Sequence, residues 1–153
     1  MIAFRIADRR HPIFDPTGAF LHGGRWNSPG KRVIYAAQTY AGALLELLVH
    51  ANLGVVPKTH AVVEIHIPDD LPHEALASND LEGWANEDLS ASRRFGDQWL
   101  QERRTAVLLV PSVVLQGREV NVLLNPDHPD FPRIRATAPD PVAWDPRLFA
   151  RPR

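Results

Sequence analysis

Proline placement constrains this chain more than any other feature. Fourteen of its 153 residues are proline, well above the roughly 5% of average usage. They gather in Pro12–Pro29, in Pro57–Pro72 and from Pro111 onward, leaving a middle stretch free. Proline cannot donate to a helix or a strand ladder, so these stretches read as punctuated loops around a small set of regular elements. Long loops on a scaffold of this size carry function or wrap a partner.

The remaining bounds are those of one globular unit spanning 1–153. A chain of this length buries roughly two thirds of its unfolded surface, enough for a core without staples. Zero cysteines exclude disulfides, thiolate zinc sites and cysteine nucleophiles, and fit a reducing compartment. Lys and Arg number 17 against 18 Asp and Glu, net charge −1, so no global field draws in nucleic acid. No apolar run approaches the ~20 residues of a membrane span. No basic, then apolar, then small-residue leader opens the sequence, which reads as the absence of a signal peptide. No repeat or low-complexity tract interrupts it.

Periodicity and turn signals give a coarse element map. Ile2–Ile6 reads as a strand, Asp8–Gly24 as a loop, and Arg32–Ala37 as a strand. Thr39–Leu53 reads as a helix with Thr39 as N-cap, Gly54 past its end, and an apolar face of Leu44, Leu45, Leu47 and Leu48. Thr59–Ile67 alternates, with Val63, Ile65 and Ile67 on one face and Glu64 and His66 on the other. Leu81–Glu87 reads as loop, and Leu89–Arg104 as an amphipathic helix through Leu89, Phe95, Trp99 and Leu100. Ala106–Val110 and Glu119–Leu124 are strands, Asn125–Pro132 turns, and Pro132–Thr137 is a last strand. Strands outnumber helices and few connections are crossovers, so the expected class is α+β with mostly antiparallel pairing.

Three short regions carry chemistry. In Gly23-Gly24-Arg25-Trp26-Asn27-Ser28-Pro29-Gly30, glycines permit close backbone approach and Arg25 offers a planar fork of donors suited to phosphate. Trp26 beside it is either a stacking surface or a core tryptophan, and Arg25 either a pyrophosphate clamp or a solvated turn residue. The stretch is neither a Walker loop nor a Gly-x-Gly-x-x-Gly fingerprint. In Ala43-Leu44-Leu45-Glu46-Leu47-Leu48-Val49-His50, a glutamate among leucines is costly to bury unless paired. His50 lies one helical turn on, on the same face. Both residues are either solvated or part of a cleft. Their i,i+4 spacing suits a metal, but no third ligand is evident and none is expected. Ser112 after Pro111 is either a turn serine or a donor to a phosphate or ribose oxygen, with no Gly-x-Ser-x-Gly elbow around it. Asn121, mid-strand among Val120, Val122 and Leu123, is either partnered in the core or aimed at a ligand; His128 reads as structural.

These pieces, with Val33-Ile34-Tyr35 and Asn125-Pro126 to His128-Pro129, resemble a RES-domain toxin over nearly the whole chain, from Phe4-Arg5-Ile6 to Leu148-Phe149. The family is named for an arginine, a glutamate and a serine in that order, which Arg25, Glu46 and Ser112 match. The resemblance implies a single RES domain with a fold similar to the ADP-ribosyltransferase domains of diphtheria-type toxins. It implies NAD+ as substrate, without metal, cleaved between nicotinamide and ribose, with ADP-ribose passing to water, phosphate or a protein side chain. It further implies a bacterial cytoplasmic toxin whose partner is a helix-turn-helix (Xre-type) antitoxin that blocks the active site and supplies any DNA contact. Within that scheme Glu46 steadies an oxocarbenium-like transition state, Arg25 holds the pyrophosphate, and Tyr35 stacks on nicotinamide or orients ribose. Ser112 donates near phosphate or ribose, and Arg5, Trp26, His50 and Asn121 line the pocket. Transfer to a protein is slightly favoured over hydrolysis or phosphorolysis. Two readings compete: a ribonuclease using His50, Glu46 and Arg25, opposed by the missing basic surface, and a non-enzymatic binding module.

Overall fold

A computed structural model describes residues 1–51 and 56–149. Among these residues eight strands form one sheet: β1 (Ile2–Asp8), β2 (Ile34–Ala37), β3 (His60–His66), β4 (His73–Ala75), β5 (Val107–Pro111), β6 (Val120–Leu124), β7 (Arg135–Ala136) and β8 (Asp140–Pro141). Their order is β4-β5-β6-β2-β1-β3-β7, with β8 also on β3. Every pairing is antiparallel except β4 with β5, which fits the α+β class. Among the described residues three α-helices accompany the sheet: α1 (Thr17–His22), α2 (Tyr40–Ala51) and α3 (Ser90–Glu102).

Side-chain alternation divides the core between the two sheet faces. Along β5 and β6, Val107, Val122 and Leu124 join a cluster with Val63, Ile65 and Ile34. Leu108, Val110 and Leu123 join the other, with Trp26 and with Trp99 and Leu100 of α3. A smaller cluster of Ile6, Ala37 and Ala43 seats α2. In β3 the expected alternation holds: Val63 and Ile65 are buried while Glu64 and His66 are exposed.

The helices follow local chemistry. Thr39 caps α2, its hydroxyl accepting the Gly42 N–H at 2.9 Å. The same hydroxyl donates to Glu119 Oε2 at 2.8 Å, tying the helix start to the entry of β6. The expected end of this helix at Leu53, with Gly54, lies outside the described residues. Its apolar face is narrower than the leucines suggest, because Leu45 is 41% exposed. Leu89 and Arg103 bracket α3, both at positive φ.

Several expectations are corrected. The Asp8–Gly24 segment holds α1, two short turns started after Pro16, with the Asp15 carboxylate accepting the Thr17 N–H at 2.8 Å; Gly18 in its first turn weakens the helix pattern. The strand expected at Pro132–Thr137 is instead a 3-10 turn, Phe131–Arg133, followed by the two-residue β7. The edge strands β4 and β8 have three and two residues, too short for a periodic signal. His128 does serve a turn, its Nδ1 accepting the Asp130 N–H at 3.0 Å.

Gly96 governs how α3 docks. A Cβ there would overlap the Trp26 carbonyl oxygen, so helix and glycine-rich loop touch backbone to backbone. Gly96→Ala should therefore lower stability by about 2–3 kcal/mol, whereas Gly18→Ala, with open space around its Cβ, should cause no loss. Thermal unfolding of the two variants beside the parent checks the contrast, and equal midpoints would refute it.

Candidate active site

Strands β1 and β2 share one register pair, Phe4 with Ala37, and then splay. Arg5 bridges the gap: its Nη1 donates to the Tyr35 carbonyl and its Nε to the Ile13 carbonyl, both at 2.7 Å. Beside this split lies a cleft of about 580 Å³, walled by Phe4–Ile6, Gly23–Trp26, Tyr35–Ala37, Glu46, His50 and Asn121. That is within the usual size range of small-molecule sites.

Glu46 projects from α2 into this cleft and is half-buried. The β5–β6 register places Val110 opposite Asn121 and Pro111 opposite Val120. Ser112, one residue past β5, thus becomes a diagonal neighbour of Asn121 on the same face. Both reach Glu46 Oε1, the Ser112 hydroxyl and the Asn121 amide each donating at 2.8 Å. His50 Nε2 approaches the other oxygen, Oε2, at 3.4 Å. Burial on its own would raise the Glu46 pKa; the donors His50, Asn121 and Ser112 outweigh it and hold the carboxyl below its ordinary value. The neighbouring Glu46 carboxylate in turn raises the His50 pKa.

Arg25 enters from the glycine-rich loop. Its Nη1 donates to the carbonyls of Trp84 and Asn86, 3.0 Å each, so the Leu81–Glu87 loop aims it. Its Nε and Nη2 have no protein partner among the described residues. Burial lowers its pKa, and Glu46 and Tyr35 work against that.

The loop itself hangs on Asn27, which is fully buried. Its amide reaches the carbonyls of Ala19, Ser28 and Lys31, and its Oδ1 accepts the Tyr35 hydroxyl at 2.7 Å. The same hydroxyl accepts the Trp26 N–H. Burial pushes the Tyr35 pKa above its ordinary value, keeping the phenol a neutral donor. Gly24 has to be glycine because a Cβ there would sit 2.7 Å from that hydroxyl oxygen. Helix α3 completes the clamp: Arg93 Nε donates to the Gly24 carbonyl at 2.9 Å, and Asp97 accepts from the Ser28 N–H and hydroxyl at 2.8 and 2.6 Å.

Of the residues named from sequence, Arg5, Arg25, Trp26, Tyr35, Glu46, His50 and Asn121 all border the one cleft. Trp26 does so with little surface: it is 2% exposed and packs edge-on against Phe95. Ser112 has no exposed surface and points to Glu46, not to the cleft. Among the described residues no third carboxylate or imidazole joins Glu46 and His50 in a metal-binding group. Sequence reasoning missed the supporting shell of Asn27, Arg93 and Asp97. The available signal was on α3, where Arg93 and Asp97, four apart, flank the small residue Gly96.

Comparison with known proteins adds to the geometry. The model of the RES domain matches residues 2–145. "Prs ADP-ribosylating toxin" of Sphingobium sp. (strain YBL2) is 42% identical over 138 residues, covering 88% of this chain and 85% of that protein. "Toxin Res" of Yersinia enterocolitica is 33% identical over 152 residues, covering 97% of this chain and 99% of that protein. Among solved structures, the M. tuberculosis MbcT–MbcA toxin–antitoxin complex matches with a TM-score of 0.73 at 19% identity. The match covers 96% of this chain and 85% of that one, a likeness of fold.

The Glu46–His50 pair has a defined pH window. Glu46 is lowered in the folded state, so its stabilisation is present above the unfolded value and lost as pH falls through the folded one. His50 is raised above 6.5, so its share is full below 6.5 and lost as pH rises through the folded value. NMR titration of the imidazole should show His50 above 6.5 in the parent and lower in Glu46→Gln; an unchanged titration would dissolve the pair.

Proposed function

The chain belongs to the RES-domain family of toxins, and we propose that it cleaves the nicotinamide–ribose bond of NAD+ and passes ADP-ribose to an acceptor. One observation carries this reading. Glu46 is the only acid among the described residues lining the cleft, it is kept ionised by its donors, and two arginines, Arg5 and Arg25, share the cleft with it.

That charge pattern suits a dinucleotide with a diphosphate and a cationic glycosidic linkage. Ordinary glycosidases need two carboxyl groups, one to protonate the leaving group. Nicotinamide departs neutral, taking the N–C1′ electron pair, so no acid is required. One carboxylate is enough to accept a hydrogen bond from a ribose hydroxyl and to stabilise the positive charge growing on the sugar. Glu46 takes that role. Arg25, aimed by two carbonyls with Nε and Nη2 left over, takes the pyrophosphate. Tyr35, fixed by Asn27, orients the nicotinamide or its ribose. Asn121 and His50 flank Glu46, and Arg5 and Trp26 form the wall behind.

Transfer to a protein side chain is the favoured outcome, because a relative 42% identical is named a Prs ADP-ribosylating toxin; water and phosphate are the alternative acceptors. The partner is a helix-turn-helix (Xre-type) antitoxin that covers the cleft. The solved MbcT structure is a toxin–antitoxin complex. Exposed Phe20, Leu21 and Val49 belong to the helices that border the opening, the kind of apolar rim a blocking protein buries. No helix of the described residues is long and apolar enough to cross a membrane.

A mass-spectrometric time course of NAD+ with purified protein, with and without phosphate and cell lysate, tests the reading. Nicotinamide should appear, with one ADP-ribose mass gained by a lysate protein. Free ADP-ribose or its phosphate would instead make the enzyme a glycohydrolase or phosphorylase, and no nicotinamide under any condition would overturn the proposal. Arg25→Ala should raise KM for NAD+ by about tenfold or more, the loss of a charge-assisted hydrogen bond.

A further inference from the structure

We propose that Ser112 and Asn121 are positioning residues that act on the reaction through Glu46, clamping its Oε1 so that Oε2 alone is offered to substrate. This rests on the reading of Glu46 as the reacting carboxylate. It assigns Ser112 a role other than contact with phosphate or ribose.

The two oxygens of Glu46 live in different surroundings. Oε1 accepts two hydrogen bonds of 2.8 Å, from Ser112 and Asn121, which fill the lone-pair directions of one carboxylate oxygen. Among the described residues Oε2 faces only the His50 imidazole at 3.4 Å, on a side chain that is 75% exposed. That separation is longer than a charge-assisted hydrogen bond of about 2.7–2.9 Å, so the imidazole is a loose neighbour that a ligand can displace. A hydroxyl arriving in the cleft therefore finds Oε2 available without breaking a buried bond.

Ser112 cannot serve a ligand at the same time. It has no exposed surface, its one O–H is committed to Glu46, and its oxygen also accepts the Leu115 N–H at 3.2 Å. The carboxylate is thus aimed from below by the end of β5 and by β6 while its helix holds it from the side. Small errors in such aim reduce rate more than affinity.

The charged groups facing Glu46 are His50 on its own helix and Arg25 from the glycine-rich loop; both remain when either strand donor is removed. Deleting a donor should therefore move the Glu46 titration upward in part, without neutralising it.

The test is steady-state nicotinamide release from NAD+ by the full chain across pH. Ser112→Ala should lower kcat by about tenfold to a hundredfold, leave KM within about twofold, and shift the acidic limb of kcat/KM to higher pH. Asn121→Ala, at a part-exposed strand position outside the 112–117 turn, should do the same, which guards against misfolding of the serine variant. In a Glu46→Gln background either change should have almost no further effect on residual turnover. A raised KM with unchanged kcat would place Ser112 on the ligand and overturn the proposal, as would an unmoved acidic limb. NMR titration of carbon-13-labelled glutamate separates the two levels of inference. A Glu46 carboxyl that rises in Ser112→Ala supports the clamp even if the parent releases no nicotinamide, and one that stays put refutes it even if turnover is brisk.

Discussion

A carboxylate drawn half out of water must be met by donors, and Glu46 sets that requirement for the architecture around it. Only the looser donor, His50 at 3.4 Å, comes from its own neighbourhood in sequence; the two close donors do not. Ser112 and Asn121 lie 66 and 75 residues away, one just past β5 and the other on β6, and the register of the two strands makes them diagonal neighbours under α2. A slip of one residue in the β5–β6 pairing would leave the two side chains on opposite faces of the sheet. The Thr39–Glu119 hydrogen bond ties the start of the helix to the start of β6, so helix and sheet share one reference point.

The opposite wall is built from backbone contacts. Asn27 satisfies the carbonyls of a turn that has no ladder of its own, and Tyr35 closes the network from β2. Helix α3 approaches so closely that only Gly96 fits, and its Arg93 and Asp97 hold the loop at two further points. Arg25 is consequently delivered by a rigid turn and oriented by a second loop. The cleft itself exists because β1 and β2 part after one pair, with the Arg5 guanidinium taking up the Tyr35 carbonyl.

Local signals in the sequence were legible where one residue decides a local outcome. Thr39 announced the start of α2, and the Val63–Glu64–Ile65–His66 alternation announced the inner and outer faces of β3. Glu46 was conspicuous because a charge among leucines demands a partner. His50 on the same face was visible; the pairing with Ser112 and Asn121 was not, since it depends on register across 66 and 75 residues. Ser112 read as a turn residue or ligand donor because nothing nearby shows that its hydroxyl is committed elsewhere. Helix α1 was hidden by Pro16 and Gly18, and β4 and β8 by their brevity. Leu45 read as core because α2 is apolar almost all round; the exposed side of that helix borders the cleft.

The central claim is that Glu46 acts on the reaction and not merely on binding. Glu46→Gln keeps the shape and the ability to accept hydrogen bonds while removing the charge. Nicotinamide release by this variant, measured beside calorimetric NAD+ affinity, isolates that charge. The account predicts turnover reduced by at least about a hundredfold with a Kd within a few-fold of the parent. Turnover at the parental rate would contradict it.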